Sequence, residues 1–148
     1  MSVEVATEVE IALPRAQVAA YAADPDNAVD WYANIESVDW ETAPPLAVGS
    51  RFAFVARFLG RTLSYTYEVR EHEPDARLMM STSEGPFPME TTYAWTDAPS
   101  GGTRMTLTNR GEPAGFRGIA APVIAVAMRR ANRKDLQRLK AILEAGRS

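Results

Sequence analysis

The sequence contains no cysteine and a single histidine, His72, among its 148 residues. Without thiols there can be no disulfide framework and no thiolate zinc site, and one imidazole cannot build a multi-histidine metal cluster. We therefore expect no metal and no cofactor. His72 stands between Glu71 and Glu73 and is followed by Pro74, a setting that predicts a solvent-facing residue at a turn.

Long apolar runs are also lacking. The longest, from Ile119 to Met128, is too short to span a bilayer and contains Pro122. The N-terminal segment MSVEVATEVE has neither the basic nor the apolar region of a secretory signal. The sequence thus predicts a cytoplasmic protein without stable membrane insertion. Its length fits one domain, spanning residues 1–148.

Motifs for nucleophilic catalysis and nucleotide binding are missing. No Gly-x-Ser-x-Gly elbow occurs, and there is no cysteine to serve as a nucleophile. Gly111, Gly115 and Gly118 do not follow the spacing of a phosphate-binding loop. We interpret these glycines as part of a flexible lid, and the sequence identifies no catalytic residue.

Basic residues are scarce at the start of the chain and concentrated near its end. The net charge of −3 argues against nucleic acid as a partner. Residues 1–48 hold nine acidic residues against Arg15 alone. A basic cluster near the C-terminus consists of Arg129, Arg130, Arg133, Lys134, Arg138 and Lys140. We expect these side chains to solvate the outer face of a helix, with a phosphate or membrane surface as the alternative.

Alternating apolar residues predict a sheet over most of the chain. The first strand covers about residues 3–13, and Pro14 ends it and opens a short helix over 15–23. Asp24 is suited to capping a second helical turn that carries Trp31 and Tyr32. Six further strands are predicted over residues 35–41, 50–59, 61–73, 77–84, 88–97 and 103–112. Short proline- and glycine-rich connections between them predict antiparallel hairpins.

The last thirty residues change to a helical period. Ile124, Met128, Ala131 or Asn132, Asp135 or Leu136, Leu139, and Ile142 or Leu143 form one apolar stripe that ends near Gly146. We expect a helix of about twenty residues or more, longer than a typical helix. Such a helix can cover the apolar face of the sheet. The predicted fold class is α+β.

Three segments resemble one known family. They are LPRAQVAAYAADPDNAVDWYANIESVDW after the first strand, the hairpin series YEVREHEPDARLMMSTSEGPFPMETTYAWTDAPSGGTRMTLT, and the final GEPAGFRGIAAPVIAVAMRRANRKDLQRLKAIL. Together they are similar to the polyketide cyclase and dehydratase branch of the START-like superfamily, also called SRPBCC. The resemblance implies a helix-grip fold, in which a curved seven-stranded antiparallel sheet wraps around a long C-terminal helix, with two short helices between strands 1 and 2. It also implies a hollow between sheet and helix.

Strand parity selects the side chains that face the helix, because residues two apart share one face of a sheet. These inward rows and the helix stripe supply the candidate ligand-binding residues, namely Phe52, Phe54, Phe58, Tyr65, Tyr67, Met80, Thr82, Tyr93, Trp95, Met105, Leu107, Asn109, Ile124 and Met128. A dry core would avoid so many hydroxyl and amide groups, since each one buried without a partner costs about 1–3 kcal/mol. A cavity of about 300–1,000 Å³ explains them better.

The leading functional hypothesis is the binding of a small hydrophobic ligand, such as a lipid, a polyketide or an isoprenoid-like molecule. The alternatives are a cyclase or dehydratase enzyme and a surface-acting protein with a filled core, and a homodimer is compatible with the sequence. An enzyme needs an ionisable group in the cavity. Parity predicts that His72, Glu68 and Glu90 stay outside it. Asp135 is expected to be solvated or ion-paired among its basic neighbours, and it is the candidate for an exception.

Overall fold

A computed structural model describes residues 3–85, 88–112 and 119–146 of the chain. Seven strands make up one antiparallel sheet. They are β1 (Val3–Ile11), β2 (Ile35–Trp40), β3 (Arg51–Phe58), β4 (Arg61–Glu73), β5 (Arg77–Glu84), β6 (Met89–Asp97) and β7 (Thr103–Gly111). Their bounds agree closely with the predicted ones, because the turns are marked by proline and glycine.

The strand order is β1-β7-β6-β5-β4-β3-β2, so the first two strands of the chain lie at opposite edges. β2 to β7 follow one another as a meander. β1 is added as an edge strand by pairing with β7, with Val3 opposite Gly111. In β1 every second residue is buried, as the alternation predicts.

Two short helices connect the edges. α1 (Arg15–Ala22) begins directly after Pro14, as expected for proline at a helix start. A single 3-10 turn follows, capped by the Asp24 carboxylate, which accepts a hydrogen bond from the Asp26 N–H at 3.0 Å. α2 (Ala28–Trp31) then buries the Trp31 side chain completely.

The long helix α3 spans Ala121–Ala145, 25 residues, and Pro122 lies in its first turn. It crosses the concave face of the sheet and buries Leu136 and Leu139 there. Lys140 and Glu144 fix its C-terminal end to β1. The Lys140 ammonium donates to the Glu10 carbonyl at 2.7 Å, and the Glu144 carboxylate accepts from the Ala12 N–H at 2.9 Å.

These elements confirm the predicted helix-grip fold. None of the helices in the described part of the chain is both long enough and apolar enough to cross a bilayer. Gly111 ends β7, whereas Gly115 and Gly118 of the predicted lid lie outside the described residues.

Candidate ligand cavity

A cavity of about 170 Å³ lies between α3 and the concave face of the sheet. Inward residues of β3 to β7 form one wall, and α3 and the segment from α1 to β2 form the other. The volume is smaller than the sequence-based expectation, and tyrosine rings from β4 and β6 are among the side chains that border it. An apolar cavity of about 150 Å³ is nevertheless known to admit a molecule as large as benzene.

The cavity lies toward one end of the sheet. Antiparallel pairing brings the end of β3, the start of β4, the start of β6 and the end of β7 together there. Phe58, Leu63 and Met89 at these strand ends pack with Ile124 from the first turns of α3. Exposed residues also border the cavity here, among them Arg110 and Glu112. At this end of the sheet the described part of the cavity wall therefore includes solvent-exposed residues.

Nine of the fourteen candidate residues border this cavity. They are Phe54, Phe58, Tyr65, Tyr67, Met80, Tyr93, Asn109, Ile124 and Met128. Their side chains come from five strands and one helix, and parity alone brought the strand residues to one face of the sheet.

The other five candidates, Phe52, Thr82, Trp95, Met105 and Leu107, do not border it. Phe52, Met105 and Leu107 are fully buried in a packed core to which α1, α2 and α3 also contribute. Trp95 belongs to the same core and packs against Tyr93 with ring centroids 6.0 Å apart. The Thr82 hydroxyl accepts a hydrogen bond from the Met89 N–H at 3.0 Å and links β5 to β6. The inward face is thus divided into a packed part and a hollow part.

A chain of three polar side chains crosses the cavity wall from β4 to β7. The Thr91 hydroxyl donates to the Asn109 side-chain oxygen at 2.8 Å. Because its only proton is used there, Thr91 accepts from the Tyr67 hydroxyl, 2.8 Å away. Among the described residues, no acceptor lies opposite the Asn109 Nδ2 group, which is therefore free to donate to a ligand.

Tyr67 and Tyr93 are buried, Tyr65 is half-buried, and all three border the cavity and remain protonated at neutral pH. Burial raises the pKa of Tyr67 to about 12, and it also raises the pKa of Tyr65 and Tyr93 well above the usual value. The hydroxyls of Tyr32 and Tyr93 share a hydrogen bond of 2.7 Å. These groups can orient a ligand by hydrogen bonding, but they are poor bases.

Asp135 borders the cavity, which corrects the expectation of a solvated or ion-paired side chain. It is 2% exposed, and its Oδ1 accepts a hydrogen bond from the Ala33 N–H at 3.0 Å. This N–H follows α2 directly and needs an acceptor, which explains why a carboxylate is buried here. Burial raises the pKa of Asp135 to about 6, against the lowering effects of the Ala33 hydrogen bond and of Arg138.

Asn132 also borders the cavity, and the sequence did not single it out as a binding residue. The residue is 5% exposed, and its Nδ2 group is buried without a hydrogen-bond partner in the described part of the chain. Since a buried polar group without a partner costs about 1–3 kcal/mol, such groups point to function or to an absent partner. The alternative of Ala131 or Asn132 on the helix stripe was the only sequence signal for it.

The remaining ionisable candidates have other partners. Glu68 lies outside the cavity and pairs with Arg70 at 2.8 Å. His72 lies outside the cavity, as expected, but it is a half-buried residue of β4 in a separate groove near α1 rather than a solvent-facing residue at a turn. Glu90 is among the bordering residues, but its carboxylate is 3.5 Å from the Arg110 guanidinium. Within residues 3–85, 88–112 and 119–146, no three carboxylate or imidazole side chains come together as a metal site.

A curved antiparallel sheet, a long C-terminal helix and a hollow between them define a START-like protein with the helix-grip fold. The chain belongs to the family described as polyketide cyclase / dehydrase and lipid transport, whose model matches residues 2–144. A comparison with curated protein sequences gives no significant match.

Solved structures share the whole fold at low sequence identity. The protein TTHA0849 from Thermus thermophilus is 24% identical with a TM-score of 0.82, covering 98% of this chain and 99% of that one. A START superfamily protein from Mycobacterium smegmatis is 13% identical with a TM-score of 0.80, covering 96% and 97%. The Zhui aromatase/cyclase from a Streptomyces species, R1128, is 18% identical with a TM-score of 0.77, covering 97% and 94%. At these identities the similarity establishes the fold alone.

The raised pKa of Asp135 leads to a testable pH dependence of stability. Between the ordinary value of 3.8 and about 6, the folded protein holds a proton that the unfolded chain releases. The contribution of Asp135 to the free energy of unfolding therefore falls as the pH rises through this window. Besides burial, the groups that act on this carboxyl are the Ala33 N–H and Arg138, and both lower its pKa.

Asp135→Asn keeps an acceptor for the Ala33 N–H and removes the titration. We expect the variant to be more stable than the wild type at neutral pH by about 1–3 kcal/mol. The difference should shrink toward zero as the pH approaches about 4, where both side chains are neutral. Urea denaturation at a series of pH values measures it. A difference that does not change with pH would contradict the assignment.

Proposed function

We propose that the protein binds a small hydrophobic molecule that carries a hydrogen-bond acceptor, in the cavity between α3 and the sheet. The observation that carries this proposal is the unpartnered Nδ2 group of Asn132 at an otherwise largely apolar cavity. A ligand oxygen placed there would supply the missing partner, and the apolar remainder would fill the hollow.

Two further features support ligand binding. Asn109 offers a second donor at the cavity wall, because its oxygen is already occupied by Thr91. The hydroxyl pair of Tyr32 and Tyr93 adds an adaptable group on the other side. A few polar groups at fixed positions in an apolar cavity are typical of binding sites that orient a ligand. The family description, which includes lipid transport, agrees with such a role.

A cyclase or dehydratase activity is the second candidate, and Asp135 is the observation that favours it. A carboxyl group with a pKa of about 6 can accept or donate a proton near neutral pH. Its Oδ1, however, accepts from the Ala33 N–H, and among the described residues no hydrogen bond joins the carboxylate to a cavity tyrosine. Binding without chemistry therefore stays the leading proposal.

Asn132→Leu tests the binding proposal, because it replaces the amide with an apolar group of similar size. We expect the ligand-free variant to gain about 1 kcal/mol of stability, since an unsatisfied buried donor disappears. Acetophenone, which carries a carbonyl, should bind the variant about five- to tenfold more weakly than the wild type. Ethylbenzene, which has a similar shape and no acceptor, should bind both proteins equally.

Ligand-detected NMR titration measures the affinities, and thermal unfolding measures the stability. Mass spectrometry of the extract from purified protein identifies any molecule that copurifies. The proposal fails if neither ring compound binds the wild type. An equal loss of affinity for both compounds in the variant would show that Asn132 shapes the cavity without donating to the ligand.

A further inference from the structure

A second depression on the surface continues from the cavity. This outer groove has a volume of about 670 Å³ and is bordered by residues 33, 34, 58, 122, 123, 126, 127, 130, 131, 134 and 135. It shares Asn34, Phe58, Ala131 and Asp135 with the inner cavity. The two spaces therefore meet at these four residues, on the side of α3 that faces the ends of β3 and α2.

The outer groove combines apolar walls with two cations. Val123 and Val126 are 56% and 57% exposed, which is unusual for large apolar side chains on a helix. Arg130 and Lys134, one helical turn apart, border the same groove. Within the described ranges, neither cation has a carboxylate within ion-pair distance.

Charge in the groove is unbalanced. Asp135 is the one acidic side chain among its described bordering residues, and the Ala33 N–H occupies one of its oxygens. The groove thus offers two cations beside apolar surface, which is the arrangement that receives an anionic group attached to an apolar body.

We propose that the ligand is an amphipathic anion, whose apolar end enters the inner cavity while its carboxylate, sulfonate or phosphate stays in the outer groove beside Arg130 and Lys134. This inference rests on the proposed function and specifies the class of ligand. The inner cavity alone is about the size for one ring, so a longer molecule has to extend into the groove.

Two dyes with the same aromatic skeleton test the inference. 1-Anilinonaphthalene-8-sulfonate carries a permanently ionised sulfonate, and N-phenyl-1-naphthylamine lacks it. Both increase in fluorescence on entering an apolar site, so titration gives both affinities. The wild type should bind the sulfonate dye more tightly than the neutral dye. Raising the salt concentration should lower the affinity for the sulfonate dye only.

The variant pair R130A/K134A has a matched control in R129A/R133A. Both remove two positive charges four residues apart on α3, but Arg129 and Arg133 do not border the outer groove. R130A/K134A should weaken sulfonate binding about tenfold and leave the neutral dye unchanged within about twofold. R129A/R133A should change both affinities by less than about threefold. Reversal of both charges in R130E/K134E should lower the affinity for the sulfonate dye further.

The outcomes separate the two proposals. If R130A/K134A and R129A/R133A lower the affinity for the sulfonate dye equally, the effect of charge is general and the inference is overturned. Tight binding of the neutral dye with no preference for the sulfonate would also overturn it, and the proposed binding function would stand. Failure of the wild type to bind either dye would overturn this inference, whereas the proposed binding function is decided by acetophenone and ethylbenzene.

Discussion

Leu139→Ala is expected to destabilise the protein by about 2–5 kcal/mol, a large part of the about 5–15 kcal/mol that holds an ordinary domain folded. The Leu139 side chain is completely buried between α3 and the sheet. Its removal takes apolar contacts from the packed part of the inward face, where no existing hollow can absorb the change. Urea denaturation followed by circular dichroism measures the loss.

Val123→Ala is the control for this prediction. Val123 lies on the same helix, but its side chain is 56% exposed. Its truncation should cost less than about 0.5 kcal/mol. Equal losses at the two positions would mean that α3 does not cover the sheet in the described orientation.

Ala131→Phe is expected to reduce the affinity for N-phenyl-1-naphthylamine at least tenfold, about 1.4 kcal/mol or more. Ala131 borders both the inner cavity and the outer groove. A phenyl ring there would occupy the space where they meet, so a ligand that extends from one into the other would have to displace it. The ring fills empty space, so we expect the thermal stability to be retained.

Ala141→Phe places the same ring on an exposed position of the same helix. This control should bind the dye as the wild type does. If Ala131→Phe binds equally well, the ligand uses another site, and the cavity proposal is wrong. Fluorescence titration and a melting curve for each variant decide between these results.

The sequence predicted the fold in detail because its local signals agree with one another. β4 was predicted over residues 61–73 and has these bounds. Alternation is a local property, and each hairpin is closed by its own turn residues. The long helix was equally visible, since its apolar stripe continues from Ile124 to Leu143 within a helix of 25 residues.

The alternation of side chains along a strand could not distinguish residues that border the cavity from residues that pack in the core. Phe52 and Phe54 both face inward, yet only Phe54 borders the hollow. Alternation assigns a face to each side chain, but the position along the strand at which packing ends depends on α1 and α2. Those helices are short, and their placement against the sheet is a tertiary property.

Helix periodicity also left the polar residues of α3 undecided. The stripe allowed Asp135 or Leu136, and the structure buries both. α3 is covered by the sheet on one side and by α2 on another, so its buried arc is wider than one stripe. The acceptor needed by the Ala33 N–H could not be foreseen from the spacing of residues along a single helix.

The placement of β1 and β2 at opposite edges of the sheet has a consequence for self-assembly. An unpaired strand edge is a template on which another copy can add a strand, and repetition of this step gives fibrils. Here both edges come from the acidic first third of the chain and present exposed carboxylates, such as Glu8 on β1 and Glu36 and Asp39 on β2. Stacking two copies edge to edge would bring like charges together. We therefore expect the uneven distribution of charge along the sequence to disfavour edge-to-edge polymerisation of the sheet.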